Sequence, residues 1–212
     1  DIDASATATW NSGAGFASIG DVNTQTFFSK AFDGLGHTIT GLTMAPSSGF
    51  YSGLFQTLDG SSNPNSSSSV DYSLRNLGLE SVSFSGNGFA VGVLAGAVGG
   101  AYTVSNVYAT GSMTGNMLFG GGLVGGMLNG SHLTDVHADV TVNNIYASSG
   151  GSDPATGGLV GYVLNSTVLN AYATGTVTGT MNVGGLVGSA FGDNAAVTLT
   201  NVYATGSVTA VE

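Results

Sequence analysis

Asp135, His137 and Asp139 stand at i, i+2 and i+4, with His132 close by. On a β-strand that spacing puts all three on one face. Imidazole and carboxylate are suitable ligands for a divalent cation, and Asp135 with Asp139 is a carboxylate pair of the separation used in sugar hydrolysis. Little else supports either chemistry. Lys30 and Arg75 are the only two cations and lie in different parts of the chain, so a lyase would lack its strong base. The reading adopted is that Asp135, His137 and Asp139 form the outward face of one diverged unit and bind no metal with high affinity. Other acids are scattered, Asp1 and Asp3 being the closest pair on one face. No Asp-x-Asp-x-Asp loop or Gly-Gly-x-Gly-x-Asp array announces Ca²⁺. No cofactor is expected, and a Ca²⁺ site has no motif behind it.

The elements that must position these residues are repeats. Gly184-Gly185-Leu186-Val187-Gly188 is followed by Asn201-Val202-Tyr203-Ala204-Thr205-Gly206-Ser207-Val208. The first phrase recurs at Gly158–Gly161 and Gly122–Gly125, worn at Gly92–Gly96 and more worn at Gly53–Phe55. The second recurs at Asn170 and Asn106, and in altered form at Asp135 and Asn76. The intervals between those positions are 30, 29, 35 and 31 residues. A period of about 30 residues marks a repeat architecture. Val, Thr, Tyr, Gly and Ser dominate it, in runs of four to seven residues broken by Gly or Asn, which favours strands over helices. The fold expected is all-β, a right-handed parallel β-solenoid with about 30 residues per coil.

Alternation within a strand then assigns directions. Val107/Ala109, Val136/Ala138, Ala171/Ala173 and Val202/Ala204 point inward. Leu94, Leu123, Leu159 and Leu186 form a buried column. Asn, Tyr and Thr of the second phrase point outward, so Tyr108, His137, Tyr172 and Tyr203 form an outer column of rings. Such a column stabilises the ladder by stacking and is also the candidate lateral binding site for sugar rings or a partner surface.

The whole chain, 1–212, is read as one solenoid. Residues 1–50 form irregular first coils, with Asp1–Thr9 as a half-buried strand burying Ile2, Ala4, Ala6 and Ala8. Short strands are expected over Phe16–Gly20 and Gln25–Phe32, then a turn at Asp33–Gly36. Residues 51–210 carry the repeats, with loop insertions near 59–69 and 143–156. The uncapped appearance of both ends suggests a piece of a longer chain or a unit that stacks end to end.

Composition narrows the function classes. Only 2 Lys+Arg stand against 12 Asp+Glu, a formal net charge of −10. Nucleic acid and anionic lipid are excluded as expected partners, because phosphate recognition needs cations. With no Cys there is no disulfide or thiolate chemistry. No apolar run of 18 residues spans a membrane, and no signal peptide stands at Asp1.

Gly-Gly-Leu-Val-Gly followed by Asn-Val-Tyr-Ala-Thr-Gly-Ser-Val resembles the GLUG repeat of large bacterial surface proteins. Asp1–Thr7, Trp10-Asn11, Gly15-Phe16, Ile19-Gly20 and Phe32–Thr43 are similar to the segment preceding such repeats in filamentous-haemagglutinin-like adhesins. The resemblance implies a right-handed parallel β-helix, an extracellular or bacterial cell-surface location, and no shared catalytic residues. The function expected is a non-enzymatic stalk or adhesive module for host or matrix glycans or proteins. The alternatives are a polysaccharide-active enzyme, an ice- or surface-binding solenoid, and an end-to-end self-assembling filament. Ice binding would call for regular outward Thr ranks, whereas these positions mix Asn, Tyr, Thr, His and Asp.

Overall fold

The computed structural model describes residues 1–47, 49–59, 72–146 and 153–211. The expected insertion 59–69 is represented there by Asp59 alone, and 143–156 by its two flanks. The rest of both lies outside the described residues.

Nearly every strand pairs in parallel with the equivalent strand one repeat away. One sheet is built from the long strands Phe32–Thr40, Ser73–Gly92, Thr103–Gly121, His132–Asn144, Thr167–Ala173 and Thr198–Ala204, in sequence order. A second, five-stranded sheet stacks Phe55–Asp59, Ala95–Gly99, Val124–Met127, Val160–Leu164 and Val187–Phe191 in the same order. The chain passes from long strand to short strand and returns one rung higher, which is a β-solenoid. Register is strict where the repeats are clear. Val107, Val136, Ala171 and Val202 are partners in turn, as are Tyr108, His137, Tyr172 and Tyr203. A one-residue slip would turn the whole apolar face outward, so the alternating pattern holds the register.

The Gly-Leu-Val-Gly phrase is the corner between the two sheets. Its leucines are wholly buried at positions 94, 123 and 159 and partly buried at 186. Their backbones continue the ladder around the bend. The N–H groups of Leu94, Leu123 and Leu159 each donate to the leucine carbonyl of the next coil, all at 2.9 Å. Leu54 opens the same column and is buried, so the worn copy at Gly53–Phe55 is a true corner. Glycine is required at Gly157, where a Cβ would overlap the Val160 carbonyl of the same bend. Inside, Val104, Leu133 and Val168 form a file of apolar side chains, as do Ala109, Ala138 and Ala173. Successive rungs thereby bury one another.

The first coils depart from the expected strands. Only Ile2–Asp3 is a strand, paired with Ile39–Thr40. Ser5–Gly13 is a 3₁₀ segment broken at Trp10, Asn11 and Ser12. The buried residues are Ala4 and Thr7, while Ile2, Ala6 and Ala8 are exposed. Local side-chain bonds decide this. The Ser5 N–H donates to the Asp3 carboxylate and the Thr7 hydroxyl to the Ala4 carbonyl, at 2.9 and 2.6 Å. Short polar side chains thus offer the backbone a turn in place of a ladder, and alanine does little to resist it. Phe16–Gly20 and residues 25–31 contribute only isolated bridges, Ile19 to Phe55, Thr26 to Asp21 and Phe28 to Leu58, and Phe32 already belongs to the long strand. The expected turn at Asp33–Gly36 is instead a bulge within the strand Phe32–Thr40, with Leu35 and Gly36 at positive φ.

Leu159→Ala removes a fully buried side chain between two other leucines. It should lower the unfolding free energy by about 2–5 kcal/mol, measured by denaturant titration. Leu186→Ala, at the half-covered corner, should cost clearly less.

Candidate functional site

Two outward columns run up the long sheet, one of amides and one of rings. Asn76, Asn106, Asp135, Asn170 and Asn201 all have φ between 51° and 58°. This is the left-handed region that Asn and Asp tolerate best. Each is a kink where alternation resets, and Thr134 and Asp135 both face outward as a result. The Asn or Asp in the second phrase is therefore a backbone requirement. Its side chains also join into a ladder. Asn76 donates to Asp33, Asn106 to Asn76, Asn170 to Asp135 and Asn201 to Asn170, at 2.8–3.0 Å. A carboxylate has no proton to donate, so an Asp can receive this ladder and cannot pass it on. Asp33 and Asp135 are those receivers.

Asp135 is thus committed to the ladder, accepting from Asn170 and, at 3.4 Å, from the Thr134 hydroxyl. The positive φ at Asp135 separates it from the regular alternation that carries His137 and Asp139 outward. Among the described residues no three His, Asp or Glu side chains come together as a metal-binding group. Of the two cations, Arg75 is placed by its Nε, which donates to Asp33 at 2.9 Å, while the backbone carbonyl of Lys30 receives the buried Tyr102 hydroxyl at 2.7 Å.

The ring column forms as expected. Tyr108, His137, Tyr172 and Tyr203 stack with centroids 5.1, 4.6 and 5.1 Å apart and planes within 5°. At its foot the repeat has Gly78 in register with Tyr108, and the Tyr108 ring fills the space a Gly78 side chain would need. The Tyr108 hydroxyl donates to Glu80, a bond that raises the phenol's pKa. Stacking occupies the faces of the inner rings, so the column offers solvent ring edges. Tyr203, 55% exposed, is the ring with no further ring stacked above it. His137 lies between two tyrosines. Burial pushes its pKa down, opposed by the nearby Asp139 carboxylate.

A second chain of rings is not visible in the repeat. Phe50 stacks on Phe89, Phe89 meets Phe119 edge-on, and Phe119 stacks on Tyr162. Phe89 and Phe119 precede the corner and Tyr162 follows it. The rings therefore occupy different repeat positions and meet only because the corner folds its two arms together. The one signal available was that each lies within a few residues of a corner leucine.

Two substitutions test this surface. Asp135→Asn restores the missing donor opposite Asn106 and should raise the unfolding free energy by roughly 0.5–1 kcal/mol, seen in denaturant melts. For His137 the unfolded chain binds the proton more readily than the folded one. The stability tied to this group is full above the ordinary imidazole value of about 6.5 and falls as pH drops through it toward the folded value. Tm should fall on acidification over that window, and His137→Tyr, which extends the tyrosine stack, should flatten the fall.

Comparison with known proteins agrees with this geometry. The family model described as "The GLUG motif" matches residues 153–178, the segment holding the Leu159 corner and the Tyr172 rung. Halomucin of Haloquadratum walsbyi (strain DSM 16790 / HBSQ001) is 38% identical over 146 residues, or 68% of this chain. The chain spans about 1% of halomucin's length. No solved structure matches. The chain is thus a parallel β-solenoid that carries the GLUG motif.

Proposed function

We propose that the chain is a non-catalytic segment of an exported surface protein, a stiff stalk that presents a lateral binding face to glycans or proteins outside the cell. The observation that carries this reading is the unbroken leucine corner, whose backbone bonds run from coil to coil at constant register. A solenoid gains length with each coil while every coil contacts only its neighbours, which suits a spacer. The likeness to halomucin and the GLUG match support placement in a large surface protein. All 212 residues belong to one solenoid on this reading. The acidic surface keeps such a stalk soluble and repels anionic membranes.

The residues first considered for catalysis have structural duties in this picture. Asp135 receives the amide ladder, and Arg75 holds Asp33. The ring column serves chiefly as cross-rung stacking, and Tyr203 is its one member with a free face for a sugar or partner. At the last rung, Thr198–Ala204 pairs with Thr167–Ala173 on one side, and Leu199, Tyr203 and Val208 are exposed. A further coil or a second copy stacked there would cover them.

The purified chain, incubated with pectic, cellulosic, xylan and chitin polymers, should release no new reducing ends. Efficient depolymerisation of any of them would overturn the non-catalytic reading.

A further inference from the structure

The folded corner leaves a cleft on the side away from the buried leucines. It begins with the last glycine of each corner phrase. A Cβ on Gly161 would sit 2.8 Å from the Gly120 backbone nitrogen. The two arms therefore touch backbone to backbone and form a crease. Just beyond the crease the register aligns Ala97, Gly126, Tyr162 and Ser189 on successive rungs. Three of these four side chains are small or absent, and a Cβ on Gly126 would meet nothing within 4 Å. The hollow left over is a cleft of about 570 Å³, within the roughly 300–1,000 Å³ of ordinary ligand sites.

Its walls are the second chain of rings. Phe50 and Phe89 stack at 4.5 Å, and Phe119 and Tyr162 at 4.7 Å. Phe50 is 51% exposed although it belongs to this apolar group. Polar atoms stand among the rings. Asn182, in the lining, gives its Nδ2 to the Pro154 carbonyl, and its Oδ1 is an acceptor. Asp153, the Tyr162 hydroxyl and the Ser189 hydroxyl make no hydrogen bond with any described residue. Among the described residues the lining contains no Lys, Arg or His. An anionic ligand would therefore meet a carboxylate and no cation. Aromatic walls with acceptor oxygens between them suit a ligand that is apolar on its ring faces and rich in hydroxyl donors at its rim. The lining runs over the five rungs from Tyr51 to Ser189, roughly 19 Å at the usual strand spacing, longer than a single sugar ring.

We propose that this cleft binds a neutral oligosaccharide lying along the solenoid axis. Its ring faces pack on the side of Tyr162 turned away from Phe119 and on the exposed Phe50, and its hydroxyls donate to Asp153 and Asn182. The inference rests on the reading of the chain as a presenting surface and places the ligand in the crease, away from the outer tyrosine column.

The test is calorimetric titration of the whole chain with neutral malto-, cello-, xylo-, manno- and chito-oligosaccharides. One series should bind, more tightly as the oligomer lengthens, and with little change on added salt. Gly126→Phe fills the open floor of the cleft and should weaken binding at least about tenfold while leaving the circular dichroism spectrum and Tm near those of the parent. Tyr162→Ala should weaken it similarly, and Tyr203→Ala should leave it unchanged. Failure of every oligosaccharide to bind at millimolar concentration overturns the proposal, as does binding that survives Gly126→Phe. Loss of binding in Tyr203→Ala in place of Gly126→Phe moves the site to the outer column, overturning the cleft while sparing the broader reading. Salt-sensitive capture of a lysine-rich peptide in the cleft, with no sugar bound, also overturns it.

Discussion

Everything in this molecule depends on the leucine corner. A parallel ladder must turn out of one sheet and into the next without leaving backbone groups unpaired in an apolar interior. Here the corner peptides pair with the corner peptides of the next coil, leucine to leucine. Because the bend is shared, each coil's bend must match its neighbour's. The glycines follow from that condition, since the bend brings a carbonyl of the same coil into the space of a side chain. The identical phrase recurring along the chain is thus a geometric necessity of stacking.

Strict register has a second consequence. A residue repeated at the same place in every coil meets copies of itself, and only side chains that pair well with themselves suit an outward column. A carboxamide both donates and accepts, so asparagines form a continuous ladder. Aromatic rings stack, and the column of tyrosines accepts one histidine with no change of plane. Like charges directly opposite one another would repel, and the repeating positions are almost free of charge. Where Asp stands in the amide column the donor chain stops and starts again. The diverged coil is best understood as a seam in these ladders. Its acids and imidazole face outward because the strand faces outward, with no convergence on a common point.

Self-matching columns are also poor at recognising anything else, because their hydrogen bonds and ring faces are directed at one another. Recognition on such a scaffold falls to places where successive coils differ. Successive coils differ in the crease beside the corner, where the rungs carry alanine, glycine, tyrosine and serine in turn.

The sequence alone determined whatever repeats. Period, strand type, the inward files and the buried leucines were all legible, because register multiplies a weak local signal by the number of coils. The ring column was legible for the same reason. Local chemistry without repetition misled: Asp1–Thr9 alternates like a strand, yet the Asp3 and Thr7 side chains capture the nearby backbone and turn it. The left-handed kink at each Asn was hidden, because alternation counts residues and takes no account of a bulge. Only the tertiary structure decided which unlike positions meet. Phe119 and Tyr162 lie on opposite sides of their corners and in successive coils, and no period relates them. They touch because the crease folds two arms together while the ladder brings the coils into contact, and that combination exists only once the chain is wound.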